Sequence, residues 1–283
     1  MVFVVGAVAI DLVAVRERFL DGTSNPSDIR LGLGGVGYRI FSNLEVPRKF
    51  VTALAGDPIS RWAREALEAD GGVAIQQVKD KDAGPPLYLA LMESGSLKVA
   101  ASDFRIVEQS LSVPFVLREM GEPEAEDFLV LDANLSSAVL GELVRTFAAR
   151  MRVVFEPVSV EKSARHAASL RDLFLLTPTQ EEMDSLAGGG AGAAGGDYQE
   201  YRRARSISNM LITRGREGAD LYDGEGQEYF PPEHVVEAPD TTGAGDLLLA
   251  SLVSFLHGGQ PMRQAVRSAM RKVESRLTSG DPL

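Results

Sequence analysis

The chain has no cysteine, which excludes disulfides, thiolate metal sites and cysteine nucleophiles. It is also short of basic residues. Lys and Arg number 29 against 40 Asp and Glu, a formal charge of −11, which argues against broad binding to nucleic acid or to an anionic membrane. No stretch approaches the roughly 18 consecutive apolar residues that span a bilayer. Met1–Val15 is apolar but has no basic leader, and Gly6 and Asp11 interrupt it, so a first buried strand is expected there instead of a signal peptide. Internal repeats are lacking too, and a cytoplasmic protein is the simple expectation. What is present is 283 residues of 45% hydrophobic content, enough for one large domain with a small appendage or for two modest domains.

The most informative stretch is Asp240-Thr241-Thr242-Gly243-Ala244-Gly245-Asp246, which leads into an apolar run, Leu247–Leu256, that reads as a helix. Small glycines let backbone N–H groups converge on a ligand, and a helix N-terminus favours negative charge. Asp246 adds a carboxylate at the same place. An anion cradle beside a base suits phosphoryl transfer to a hydroxyl, with amides holding the phosphoryl group and the carboxylate taking the proton. The same residues would also serve simply to cap a buried helix.

Val2–Val5 and Val8–Ile10 read as a buried strand and its continuation, followed by polar and turn-forming residues to Asp28. Helical spacing covers Val36–Leu44 and Ser60–Ala69, with a short strand at Phe50–Leu54. Leu87–Glu93 and Leu97–Ala101 alternate around Ser94-Gly95, predicting a hairpin in a sheet with one wet face. From Phe128 the pattern changes to short apolar runs at Phe128–Leu131, Arg152–Phe155, Leu173–Leu176 and Met210–Thr213, the first three pairs separated by helical stretches. That is the pattern of a parallel sheet covered on both faces, with ligands outside the carboxyl ends of its strands. The Gly/Ala run Ala187–Gly196 has no side chains with which to pack and is expected to be a surface loop.

With these features in view, the chain resembles the ribokinase-like (PfkB) carbohydrate and nucleoside kinases over nearly its whole length. The resemblance is carried by the Asp240–Asp246 motif and by Gly34-Gly35-Val36-Gly37. Further segments, Asn25–Ile29, Leu131–Leu135, Glu156–Ser159 and Leu87–Ala90 through Ala101–Asp103, look most like the pseudouridine kinases of that family. It implies an α/β fold, a three-layer α/β/α domain over residues 1–283 with a small β-sheet lid from segments near 12–33 and 84–104. It also implies ATP, Mg²⁺ and a small sugar or nucleoside acceptor, with a homodimer through the lid as an option. Asp246 would be the base, and Gly243, Ala244 and Gly245 the anion hole. Asp11 would accept from sugar hydroxyls, Gly34 and Gly35 would let backbone approach the sugar, and Asn134 and Asp103 would contact substrate. Thr213, Gly215, Gly218 and Thr242 would lie against the nucleotide, and Glu182 would organise Mg²⁺ through water. The Asp240–Thr242 region resembles segments that bind K⁺ in some relatives. Each residue has a plainer alternative: a strand-end cap for Asp11, tight turns for the glycines, helix starts for Glu182 and Asn134, and a surface charge for Asp103.

The chain also departs from the family pattern. Ala9 stands where an Asn is common two residues before the first Asp, and Arg39 stands where an Asn reaches the substrate. Thr179 opens the Mg²⁺-linked segment in place of Asn, and Glu156 replaces an Asp. Arg39 either enters the acceptor pocket or faces solvent. Arg263, Arg267 and Arg271 recur at i, i+4 and read as a solvated basic face. Retention of the whole Asp240–Asp246 motif favours a kinase that phosphorylates a primary hydroxyl, with pseudouridine at its 5′-hydroxyl as the leading acceptor. The substitutions leave a non-catalytic ligand-binding protein on the same fold as the alternative.

Overall fold

The computed structural model describes residues 1–79, 83–188, 197–236 and 241–279. In chain order the elements begin with β1 (Val2–Val5), β2 (Ala9–Arg16), β3 (Asp28–Gly34), α1 (Val36–Asn43), β4 (Arg48–Leu54), α2 (Pro58–Ala69) and β5 (Val73–Gln77). They continue with β6 (Leu87–Glu93), β7 (Ser96–Asp103), α3 (Arg105–Ser110), α4 (Val113–Met120), β8 (Phe128–Asp132), α5 (Ser137–Phe147), β9 (Arg152–Glu156) and α6 (Val160–His166). The last are β10 (Leu175–Leu176), α7 (Gln180–Leu186), α8 (Tyr198–Ala204), β11 (Asn209–Thr213), β12 (Ala219–Asp223), β13 (Gly226–Phe230), α9 (Ala244–His257) and α10 (Met262–Ser279).

Nine strands form one sheet in the order β13-β12-β11-β10-β9-β8-β1-β4-β5. It is parallel except at the β11–β12 and β12–β13 pairings. Alternate residues of each buried strand feed opposite cores. Phe3, Val5, Leu129, Leu131 and Phe155 pack on one face, and Val2, Val4, Phe128, Val130 and Val154 on the other. The three-layer α/β/α expectation is met, because period-2 strands that are apolar at every position must be covered on both sides. Among the described residues no helix is long and apolar enough to cross a membrane.

β1 lies between β4 and β8, so successive crossovers leave it in opposite directions and open a crevice at its carboxyl end. The carboxylate that closes β8 organises this crevice. Asp132 is fully buried and accepts from Ala7 N–H and Asn134 N–H, each at 2.9 Å. Gly6 and Gly37 leave the room it occupies, since a Cβ on either would lie 2.3 and 2.9 Å from its Oδ2. Burial pushes the Asp132 carboxyl up from its ordinary range, and the bonds from Ala7 and Asn134 oppose that shift.

β2, β3, β6 and β7 form a separate sheet in the order β3-β2-β6-β7. Val8–Ile10 therefore does not continue β1: Gly6 ends that strand, and β2 starts the second sheet at Ala9. The stretch expected to be irregular after Asp11 contains most of β2 and the start of β3. Its register puts Asp11 beside Gly32 and Tyr88, with Ser102 next in that row. The adjoining row is Leu31, Leu12, Leu89 and Ala101. The hairpin expected around Ser94-Gly95 is present, with both residues at positive φ (49° and 81°), as a two-residue turn between right-twisted strands requires. The wet face is apolar: Ile29, Leu31, Leu89 and Val99 are each about half or more exposed, and the polar row turns inward.

The arginines of α10 do not form a free basic face. Arg263 reaches Asp223 and Glu228 (2.8 and 2.6 Å), Arg267 reaches Glu228, and Arg271 reaches Glu233, tying α10 to the β12–β13 hairpin and the segment after it. Of the loop expected at Ala187–Gly196, residues 189–196 lie outside the described residues, as does Asp240.

Replacing Asp132 with Ala strands two buried N–H groups, and urea unfolding should show a loss of about 2–4 kcal/mol. A loss under about 0.5 kcal/mol would mean that the crevice does not depend on this carboxylate.

Candidate active site

Two cavities open at the carboxyl edge of the large sheet, and the 241–246 turn is the wall between them. The first, about 830 Å³, is lined by Thr242, Gly243 and Asp246 on that wall and by Asp11, Arg39, Tyr88 and Ser102 opposite. The second, about 630 Å³, is lined by Ala244 and Gly245 from the other side of the same turn, with Thr213, Gly215 and Gly218 beyond. Gly243 makes the division possible. It sits at φ 90° as the N-cap of α9, a left-handed conformation that glycine adopts without steric cost.

Asp246, in the first turn of α9, is 9% exposed. Burial raises its carboxyl pKa to about 7, Asp132 adds to the rise, and the Arg39 guanidinium opposes it. Arg39 enters the first cavity, where its Nη2 donates to Asp11 Oδ2 at 3.1 Å. The other Asp11 oxygen, Oδ1, is buried without a partner. Burial raises Asp11 as well, and Arg39 pulls it back. Gly34 is packed against this carboxylate, where a Cβ would lie 2.0 Å from Oδ2. Gly35, at φ 86°, turns the chain into α1 with no room for a Cβ beside Ala9 N (2.7 Å). The glycine pair therefore serves Asp11 and the turn directly.

Asn134 and Asp103 also line the first cavity. Asn134 is buried and its Oδ1 accepts from Lys162 Nζ at 2.6 Å, while Asp103 is held by Arg105. Thr242, grouped from the sequence with the nucleotide residues, lies on the first cavity, and Thr241 lies on the second. Glu182 lines neither cavity. It is 6% exposed and closes a capping box on α7, accepting from Thr179 N–H at 2.8 Å while Thr179 Oγ1 accepts from Glu182 N–H at 3.3 Å. Thr179 thus supplies the cap that its chemistry favours.

Three residues of the site carried no role in the sequence reading. Asp132 ends an otherwise apolar strand, and the Gly6 and Gly37 that make room for it lie far away in sequence, so no local signal marked its role. Glu156 accepts from Thr177 Oγ1 at 2.7 Å, and its pKa is pushed well up by burial first and by the Glu182 carboxylate next, with Asp246 adding to it. Lys162 follows a cap at Ser159 and had no local signal. Beyond Gly218 the second cavity is walled by Leu248, Met270, Val273 and Leu277, an apolar surface suited to a flat ring.

Solved structures with this fold include sugar kinases. Ribokinase from Thermotoga maritima superposes with a TM-score of 0.83 at 20% identity, covering 99% of this chain and 95% of that one. Arabidopsis thaliana ribokinase complexed with ribose and ATP gives 0.77 at 18% identity, covering 98% and 92%. Likeness at that identity shows the fold. The pfkB family carbohydrate kinase model matches residues 1–271, and the chain belongs to that family. Membership in a carbohydrate kinase family makes it a phosphotransferase. Pseudouridine kinase from Escherichia coli (strain K12) is 25% identical over 287 residues, 95% of this chain and 87% of that protein. Bifunctional protein HldE from Trichlorobacter lovleyi is 32% identical over 142 residues, 49% of this chain and 28% of that larger protein.

The electrostatics give a signed test on stability. Asp246 binds its proton more tightly folded (about 7) than at its ordinary value of 3.8, so the stability it contributes is lost as pH rises through about 7. Asp246→Asn removes a desolvated charge. Thermal unfolding should find the Asn variant more stable than the parent at pH 8, with the difference shrinking toward pH 5. An advantage independent of pH would contradict the raised pKa.

Proposed function

We propose that the protein transfers the γ-phosphoryl group of ATP to a primary hydroxyl of a nucleoside or sugar, with the 5′-hydroxyl of pseudouridine as the leading acceptor. The observation that carries the reading is the two-sided turn: the segment bearing Asp246 forms one wall of both cavities. A donor in the second cavity and an acceptor in the first would then meet across Gly243–Asp246. Proximity of this kind supplies much of the acceleration in phosphoryl transfer. The pseudouridine choice is supported by the relative from Escherichia coli, aligned over 95% of this chain.

In this reading Asp246 takes the proton of the attacking hydroxyl as its oxygen bonds to phosphorus and the bond to ADP breaks. A carboxylate titrating at about 7 is well matched to that task near neutral pH. The amide cradle consists of Gly243 and Gly245, because the Ala244 N–H is already given to Thr241 O at 3.0 Å. Asp11 accepts from acceptor hydroxyls through its unpartnered Oδ1, with Arg39 holding the other oxygen. Gly34 and Gly35 bring backbone up to the sugar, and Asp103 closes the rim. Thr213, Gly215 and Gly218 line the nucleotide side. The second sheet, including segments near 12–33 and 84–104, serves as the lid.

Mg²⁺ fits the acids present. Glu156 is raised by burial first and by its neighbour Glu182 next, and a divalent cation would offset the second of these. Among the described residues no group of three or more His, Asp or Glu side chains closes a metal site alone, so Glu156 and Glu182 would hold the ion through water. When bound, it neutralises phosphate charge. K⁺ bound by the Asp240–Thr242 region belongs to the same reading, as does a cytoplasmic setting where ATP is at hand.

ADP release across pseudouridine, uridine and ribose tests the function, with binding of each measured by calorimetry. Wild type is expected to turn over pseudouridine best, and Asp246→Asn to lose about 10²–10⁴-fold in kcat with acceptor binding retained. Near wild-type turnover by the Asn variant would sink the base assignment. Binding without turnover on every acceptor would favour the non-catalytic alternative.

The lid's outward face supports a homodimer, since Ile29, Leu31, Leu89 and Val99 form a contiguous exposed apolar surface on a sheet with free edges. Sedimentation should give a dimer that Leu31→Glu with Leu89→Glu converts to monomer. A wild-type monomer at tens of micromolar would refute this.

A further inference from the structure

The acceptor-side cavity contains one cation that has no carboxylate at ion-pair distance among the described residues. Arg39 is paired with Asp11, Arg105 with Asp103 and Arg165 with Glu108. Lys162 lines the same cavity and forms no ion pair among the described residues. Its direct contacts are neutral, while the Asp132, Glu108 and Glu161 carboxylates act on it from farther off. The ammonium donates to Asn134 Oδ1 at 2.6 Å and lies 4.5 Å from the centroid of the Phe104 ring. Of three donors on an ammonium, one goes to Asn134 and one is turned to the ring face, which leaves one for the cavity.

The lysine is held firmly. Asn134 is anchored through its backbone N–H and its side chain to the buried Asp132, so it presents Oδ1 to Lys162 from a fixed position. Lys162 lies in the first turn of α6, where its backbone N–H is capped by Ser159 Oγ at 3.4 Å. The turn just before carries Val158 at φ 67°, in the left-handed region where a β-branched side chain is strained by about 1–3 kcal/mol. Val158 lines the cavity as well. Strain in the turn that delivers a desolvated cation to a ligand cavity points to a functional demand on its position. Burial also lowers the Lys162 pKa from its ordinary range, which marks the cost of keeping it there.

We propose that Lys162 determines acceptor specificity by donating its remaining N–H to a carbonyl oxygen on a planar ring carried by the substrate, with Phe104 beside that ring. This deepens the nucleoside reading above and rests on it. A neutral acceptor fits better than an anionic one, because the cavity already holds five acidic side chains against four basic ones. A further carboxylate or phosphate would meet that negative balance, whereas a ring carbonyl takes the N–H without adding charge.

The test is binding of pseudouridine and of ribose, measured by calorimetry without nucleotide, to wild type, Lys162→Met and Lys162→Arg, with thermal unfolding as a check on folding. Lys162→Met should weaken pseudouridine about 10- to 100-fold and leave ribose within about two-fold. Lys162→Arg should recover part of the loss. In turnover the Met variant should raise KM for pseudouridine and leave kcat within a few-fold. Equal weakening of both ligands, or of neither, would overturn the proposal, as would a wild type that binds ribose but not pseudouridine. If wild type binds pseudouridine and does not phosphorylate it, the kinase reading of that ligand fails while the isotherms still decide the role of Lys162.

Discussion

The buried carboxylate of Asp132 is the constraint on which the rest of this active-site region depends. It ties the end of β1 to the end of β8 through two backbone N–H groups, and it can do so only because Gly6 and Gly37 carry no Cβ. A buried carboxylate is tolerable when its oxygens are satisfied, so the bonds and the glycines act as one unit. Its influence extends outward. Asp132 anchors Asn134, which positions Lys162, and its field adds to the raised pKa of Asp246.

Charge in the crevice is arranged as a balance between desolvation and a single guanidinium. Burial raises both Asp11 and Asp246, and Arg39 opposes both shifts. The arginine that stands where the family carries an amide therefore does more than fill space: it keeps one carboxylate paired and holds down the other. Its place in the cavity decides between the two options left open by the sequence, entry into the pocket or exposure to solvent, in favour of entry. On the far side of the turn the demand is different: apolar residues of α9 and α10 form much of the wall, with Arg216 and Glu274 beside them.

Much of the large sheet was legible because its strands are short, apolar and bounded by turns, and β1, β8, β9 and β11 fall where the pattern put them. The Leu173–Leu176 run shortened to β10 at Leu175–Leu176. The residue pattern did not place β2 and β3, which only the family resemblance put in a β-sheet lid near 12–33, because they pair in a sheet whose outward face is apolar and whose inward face carries Asp11 and Tyr88. Alternation there signals two surfaces without saying which one is covered. The site was legible where chemistry is local, as in the glycines and the Asp of the 241–246 turn. Glu182 shows the opposite case: an acid three residues after Thr179 is also a capping-box signature, and the structure has it acting as one. Arg263, Arg267 and Arg271 looked solvated because their acidic partners lie about 40 residues away in sequence.

The amino-acid sequence by itself determined the fold class, the Gly-rich turn with its carboxylate, and a chemistry of phosphoryl transfer, because periodicity, glycine and helix-start signals act over a few residues. Only the tertiary structure decided that this turn divides two cavities, that Arg39 meets Asp11, that Thr242 lies on the first cavity, and that Asp132 reaches Lys162 through Asn134. Those outcomes join residues from separate strands and helices across the crevice. The desolvation that raises Asp246 to about 7 exists only when that crevice is closed around it.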